Sequence, residues 1–452
     1  MRMRRYIIAL ILLAISAVYG FVWSDAPWIV SDSSGYLESA ADWLDLRVDT
    51  LHDRTPGYPL LLLLAGAGET PGRLLVAVQL ALTVACILLL VRLLRTAGVG
   101  RTLVACFIGL AVLPPRFAPA GYVLTECWTQ FLLVTGVFSG ARWFEDGRIR
   151  WLLACGLAAG LAALTRPTYA LLAVIGLWVW VLLAPRRVGR RPSMGVAAAC
   201  MLMPTLLMVG GLCLHNLRLF GFPGPSPLFG FNLSTRTLRV LERLPDEEAT
   251  LREVLIRNRD RDLVERNGTH EGTMFIWGAR GELEAATGLT RAELSQRLMR
   301  LNLLLIRKAP LEYGVEVGHA MVTYWFPWLP EAANFGSRAL QMLWSLLHFG
   351  AIAVFFAVVG LAAAIALLLA RVGWMRRWIA AGLEPVGLPA IAGAVFALAT
   401  IFYTMIVSCA VEIGTPRYRG PTDLLILFVT VLGLSFGSRL QRQVEPVAGT
   451  GA

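Results

Sequence analysis

The chain has 452 residues, 57% of them hydrophobic and only 16% charged, with a mean hydropathy of +0.64, which excludes an ordinary soluble globule. Its net charge of +11 does not point to nucleic acid, because the basic residues lie mostly in short loops beside apolar runs, the positive-inside pattern of a polytopic membrane protein. The seven cysteines all fall in apolar segments with no CxxC pair or Cys/His cluster, so they indicate packing rather than zinc or disulfides.

Met1 to Arg5 is basic, and an apolar run follows from Tyr6 to about Trp23. Its length, and the lack of a clear A-x-A site, favour a retained signal-anchor over a cleaved signal peptide. The N-terminus is then cytoplasmic, and the polar stretch Ser24–Pro59 is extracytoplasmic. From Tyr36 this stretch has a helical pattern, with Tyr36, Leu37, Ala40 and Leu44 on one stripe and Glu38, Asp42 and Asp45 off it. A short helix lying on the bilayer surface is expected there, with Asp32 just before it.

The chain re-enters near Gly57 to Gly66, and a span of about 20 residues runs from Leu74 to Leu94. Leu103 to Leu113 returns and breaks at Pro114-Pro115. Tyr122 to Ala141 descends to the basic loop around Arg142, Arg148 and Arg150. Trp151–Leu164 and Tyr169–Leu183 form a hairpin that turns at Thr165-Arg166-Pro167, and PRRVGRR follows at Pro185 to Arg191. Met194 to Leu214 rises to His215-Asn216-Leu217-Arg218. Parity places about Leu219 to Lys308 outside the cytoplasm, with a core of soluble-type helices over Arg236–Arg307. Leu311–Phe326 is an ambiguous helix, too polar at Glu312, Glu316 and His319 for a simple span. Spans are expected at about Arg338–Leu369, Leu388–Cys409 and Thr422–Phe436, with RVGWMRRW between the first two and a short outer loop, Val411 to Pro421, before the last.

The expected fold is therefore an all-α polytopic bundle of about ten membrane helices. Residues 1–235 form an N-terminal membrane module containing the first outer loop, 24–59. Residues 236–308 are an extracytoplasmic helical insertion, 309–440 a C-terminal membrane module and 441–452 a cytoplasmic tail.

Polar residues gather at the outer ends of the spans: Asp32, Arg54, Glu126, Arg166, His215, Arg218, Arg417, Tyr418 and Arg419. The middles of the spans are almost free of charge. Carriers and pumps place ionisable groups at depth, so this layout points to chemistry at the outer interface.

Several stretches carry a resemblance. Asp32 with Tyr36 and Ala40 is followed by Arg54-Thr55-Pro56-Gly57-Tyr58-Pro59, then by Leu124-Thr125-Glu126 and Leu164-Thr165-Arg166-Pro167. Asn216-Leu217-Arg218-Leu219-Phe220-Gly221 and Arg417-Tyr418-Arg419-Gly420-Pro421 complete the order. The series resembles the polytopic GT-C glycosyltransferases, most closely the protein-mannosyltransferase-like and aminoarabinose-transferase-like branch. It covers most of Tyr6 to Phe436 outside the insertion. The resemblance implies a bacterial inner-membrane enzyme with both termini in the cytoplasm and its site outside. Such an enzyme moves a sugar from a polyprenyl-phosphate donor to an extracytoplasmic glycan, lipid or protein. The family's essential acid maps onto Asp32. Many members have a second acid next to it, whereas Ser33 stands here. No metal ligands are assigned, and a divalent cation is left open.

The chemistry is consistent with one carboxylate. An acceptor hydroxyl needs a base as it attacks the anomeric carbon, while a phosphodiester leaves as a stable anion without help from a second acid. Asp32 is the candidate base and Glu126 a second acid, unless Glu126 only meets its helix N-terminus. Arg54, Tyr58, Arg218, Arg417, Tyr418 and Arg419 are candidate ligands of the donor phosphate and sugar. Arg166 reads as a hairpin residue snorkelling to headgroups. Two other classes remain open: a lipid-linked transporter or flippase, which requires a polar path through the spans, and a degenerate envelope scaffold, since the second acid is missing.

Overall fold

In hydrocarbon a backbone can satisfy its polar groups only within the protein, so long apolar runs become helices. The computed structural model describes residues 26–47, 49–68, 70–184, 192–265, 274–328, 338–371 and 387–448. Among these residues the chain is helical, apart from turns and one parallel bridge between Trp28 and Tyr122. The apolar run Tyr6–Trp23, the PRRVGRR loop and most of RVGWMRRW lie outside the described residues.

The helices in order are α1 (Ser31–Leu44), α2 (Gly57–Leu64), α3 (Arg73–Thr96), α4 (Arg101–Ala111), α5 (Glu126–Asp146), α6 (Arg150–Thr165), α7 (Leu172–Leu183) and α8 (Met194–Phe220). Next come α9 (Phe229–Ser234), α10 (Ala249–Glu265), α11 (Phe275–Thr287) and α12 (Arg291–Lys308). Then come α13 (Pro310–Tyr324), α14 (Arg338–Arg371), α15 (Leu388–Val411) and α16 (Asp423–Ala448), the last preceded by a one-turn helix at Pro416–Arg419.

Among the described residues, five stretches are long and apolar enough to cross a membrane: α3, α8, Arg338–Ala364 of α14, α15 and Pro416–Ser438. A sixth is present if α4 and Pro114–Gly121, bent by 66° at the proline break, are one span. The hairpin expected at 151–183 forms, but from apolar helices shorter than a full span. One buried apolar cluster unites α3 to α7 with α14, α15 and α16. On α6, a Cβ at Gly156 would lie 2.2 Å from the Cys200 carbonyl oxygen of α8. Only glycine lets these two backbones approach so closely.

Two helix starts differ from expectation, each for a local hydrogen-bonding reason. α1 begins at Ser31, five residues before Tyr36, because the Ser33 hydroxyl accepts the Val30 N–H at 3.0 Å and turns the chain into the helix. α5 begins only at Glu126, because Tyr122 and its neighbours are pinned to Trp28: Trp28 N–H donates to Gly121 O and Val123 N–H to Trp28 O. A second buried apolar cluster packs Phe231 of α9 with the stretch Leu238–Leu244 and with α10, α11 and α12.

Candidate functional site

The first-loop segment is fixed to the bundle by polar contacts on both sides. Ser33 Oγ donates to Val123 O at 2.9 Å, just ahead of α5. Thr55 Oγ1 donates to Thr165 O at 3.0 Å, and a Cβ at Gly57 would lie 2.6 Å from the Thr165 nitrogen. The first contact brings Asp32 toward Glu126, and the second brings Arg54 toward Arg166. Tyr36 packs edge-on against Tyr58 with ring centroids 5.1 Å apart, and the Arg54 guanidinium lies 5.0 Å from the Tyr36 ring.

These constraints assemble a continuous chain of charges. Arg54 Nη2 donates to Asp32 Oδ1 at 2.7 Å, and Arg417 Nη1 donates to Asp32 Oδ2 at 2.7 Å. Arg417 also turns its Nε to Glu126 Oε1 at 2.6 Å. The same oxygen accepts Arg166 Nη2 at 2.7 Å, while Arg166 Nε donates to Thr125 Oγ1. Glu126 is 2% exposed, and its Oε2 is buried without a hydrogen-bond partner. Three guanidinium groups thus face two carboxylates, leaving one positive charge.

The cluster opens into a cavity of about 1080 Å³. Asp32, Arg54, Arg166, Glu412, Arg417 and Tyr418 line one part of it. Another part comes from α11 and α12 and includes Trp277, Arg280, Arg291, Gln296 and Arg300. Asp53 bridges the two, accepting from Arg291 Nη1 at 2.8 Å and Arg280 Nη1 at 3.2 Å. The first loop, the hairpin turn, the segment after α8 and the loop after α15 therefore meet at one end of the bundle.

Not every expected residue arrives there. Tyr58 is fully buried, and its hydroxyl donates to Gln79, which also holds the Ala120 and Tyr122 carbonyls. Arg218 is exposed on α8 and does not line the cavity. Arg419 is 1% exposed, donating to Asp423 and to the Phe326 carbonyl at 2.6 Å, in a second cluster that includes an Arg116–Asp423 pair. Arg417 and Arg419 part because residues two apart on a helical turn diverge by about 200°. Arg166 is the reverse case, a residue expected at the lipid headgroups that instead stacks 5.5 Å from the Tyr418 ring inside the cluster. Glu412 was not singled out from the sequence, since one acid in a short loop carries no pattern.

Asp32 lines the cavity but is not free. Burial raises its pKa, yet the Arg417 and Arg54 guanidiniums together outweigh burial and hold the carboxyl at about 2. A carboxylate held that low is a weak base.

A divalent cation does not fit these residues. Both Asp32 oxygens and Glu126 Oε1 already accept from guanidiniums, which would repel a second cation. Ser33, at the position of the missing acid, is fully buried and spends its hydroxyl on Val30 and Val123. Among the described residues no group of three His, Cys, Asp or Glu side chains could hold a metal, and Glu312 and Glu316 near His319 pair with Arg243 and Arg239.

No protein-family model matches the chain, and no curated protein matches it. The chain is similar to oligosaccharyltransferases and to ArnT. Archaeal oligosaccharyltransferase AglB from Archaeoglobus fulgidus, with an inhibitory peptide and a dolichol-phosphate, is 15% identical at a TM-score of 0.46, over 98% of this chain and 52% of that one. The apo form of the A. fulgidus oligosaccharyltransferase gives 16% and 0.47 over the same shares. ArnT from Cupriavidus metallidurans, bound to undecaprenyl phosphate, is 16% identical at a TM-score of 0.36, over 94% of this chain and 77% of that one. The chain spans about half the length of the archaeal oligosaccharyltransferases.

Proposed function

We propose that this protein is a membrane glycosyltransferase that moves a sugar from a polyprenyl-phosphate donor to an acceptor outside the cytoplasm. The observation that carries this reading is the Arg54–Asp32–Arg417–Glu126–Arg166 chain at the margin of the cavity. Counted without the neighbouring Glu412, that chain carries about +1, opposite in sign to a phosphodiester. Each arginine has five N–H donors and uses only one or two on the carboxylates, so several remain for phosphate oxygens.

Asp32 and Glu126 act here as positioning residues. Without them, Arg54, Arg166 and Arg417 would repel one another; with them, the guanidiniums stand in a fixed array before the donor arrives. As the bond from anomeric carbon to phosphate oxygen lengthens, negative charge grows on that oxygen. Preorganised donors stabilise that charge more than they stabilise the ground state. Tyr418, under Arg166, lies where it can border the sugar. The insertion wall, with Trp277, Gln296 and Arg300, would select a glycan, lipid or protein acceptor of the cell envelope. The site then faces outward from a bacterial inner membrane, with the chain's basic loops inside.

The test uses protein reconstituted in nanodiscs with undecaprenyl phosphates charged from a panel of radiolabelled nucleotide sugars, together with an envelope fraction as acceptor. Release of undecaprenyl phosphate with label moving to the envelope fraction is expected, and loss of both in Arg417→Ala. In proteoliposomes, labelled lipid that crosses the bilayer unchanged, with no undecaprenyl phosphate released, would favour a carrier instead.

A further inference from the structure

We infer that Glu412, rather than Asp32, takes the proton from the acceptor hydroxyl. This rests on the sugar-transfer reading above and concerns the same cavity. Four carboxylates line the cavity: Asp32, Glu38, Asp53 and Glu412. Asp32 is clamped by Arg54 and Arg417, and Asp53 by Arg280 and Arg291. Glu38 is exposed on α1. Glu412 is half-buried, makes no ion pair among the described residues, and has the Tyr418 hydroxyl as its side-chain partner.

Its position is built into the fold. Glu412 caps α15 in extended conformation and donates its N–H to Ser408 O at 2.9 Å. Two residues later Gly414, at φ +64°, turns the chain toward Arg417. A Cβ at that glycine would lie 2.7 Å from the Ala320 Cβ of α13, so the turn is pressed against a neighbouring helix. Glu412 and Arg417 thereby face the cavity from the two arms of one short loop.

The charged and titratable groups that act on Glu412 are Arg166, Arg54, Asp32 and Tyr418. Burial pushes its carboxyl above the ordinary range, and Arg166 and the Tyr418 hydroxyl only partly offset this. It is thus a stronger base than Asp32, the other cavity acid beside these arginines. In the transfer step the acceptor oxygen forms a bond to the anomeric carbon while the carbon–phosphate oxygen bond breaks. The bonding pair leaves on the phosphate oxygen held by Arg54 and Arg417. The acceptor's proton passes to the Glu412 carboxylate, giving a carboxylic acid and polyprenyl phosphate, and is then lost to water.

The test compares wild type, Glu412→Gln, Glu412→Asp and Asp32→Asn in the nanodisc transfer assay, with thermal unfolding and undecaprenyl phosphate binding measured on each. Glu412→Gln should fold and bind undecaprenyl phosphate as wild type does, with kcat lowered roughly 10²- to 10⁴-fold. Glu412→Asp should recover part of that loss. Because the base must be ionised, wild-type kcat should rise with pH through the Glu412 pKa, and Glu412→Gln should lose this rise while Asp32→Asn keeps it. If Glu412→Gln retains kcat and the pH rise, or the rise disappears only in Asp32→Asn, the inference is overturned and sugar transfer stands. If wild type binds undecaprenyl phosphate and transfers no sugar from the panel, the sugar-transfer reading falls and the inference with it.

Discussion

Arg417 Nη1 lies 2.7 Å from Asp32 Oδ2, although 385 residues separate them. The contact closes the last loop onto the first. Because Arg417 also reaches Glu126, a single side chain couples three distant segments. Arg417 serves the two acids from two nitrogens of one rigid plane, whereas a lysine offers a single ammonium nitrogen on a shorter reach. Arg417→Lys keeps the charge but breaks one of the two contacts. A charge-assisted hydrogen bond contributes about 1.5–3 kcal/mol, so undecaprenyl phosphate should bind roughly 10- to 100-fold more weakly. Titration of nanodisc-embedded protein measures this, and unchanged affinity would remove Arg417 from the phosphate site.

Restoring a second acid beside Asp32 should harm the protein. Ser33 is fully buried, donating to Val123 O and accepting from Val30 N–H. In Ser33→Asp a carboxylate would face the Val123 carbonyl, and the displaced contacts should cost about 2–3 kcal/mol. A lowered melting temperature is expected, with no recovery on adding Mn²⁺ or Mg²⁺. Recovery with either ion would mean that the site accepts a metal after all.

The depressed Asp32 pKa sets a pH dependence. Its folded value of about 2 lies below the ordinary 3.8, so the folded protein favours the ionised form. The resulting stability is fully present above about pH 4 and is lost as pH falls toward about 2. Asp32→Asn should therefore unfold at a lower temperature near neutrality, and the gap from wild type should close on acidification. A gap that stays constant from pH 6 to about 2 would contradict the pairing.

What the sequence disclosed follows from what it could encode locally. The apolar runs and their basic ends placed most helices, and polar residues at one set of ends located Asp32, Glu126, Arg54 and Arg417. Side-chain direction was out of reach. Tyr58 and Arg419 sit in the same short motifs as Arg54 and Arg417, yet both point into the protein. Arg166 looked like a headgroup anchor because its partner, Glu126, is 40 residues away and meets it only after α5 and α6 pack. Arg218 fails differently, since its helix α8 ends before the cavity and leaves the side chain exposed.

Gly57 offers a test of how the first loop is held. A Cβ there would lie 2.5 Å from Thr165 Oγ1 and 2.6 Å from the Thr165 nitrogen, and the backbone cannot yield. Gly57→Ala should push α2 off the hairpin turn, separating Arg54 from Arg166. Undecaprenyl phosphate affinity and melting temperature should fall together, as read by ligand titration and thermal unfolding. A variant with wild-type affinity would show that the turn does not position Arg54.

The most direct measurement is an experimental structure of the full chain in nanodiscs with undecaprenyl phosphate. The phosphate should lie in the cavity within hydrogen-bond distance of Arg54 and Arg417, with Asp32 and Glu126 still holding those guanidiniums. A phosphate bound at Arg218 or on the outer surface of the bundle, with the cavity free of lipid, would contradict the account.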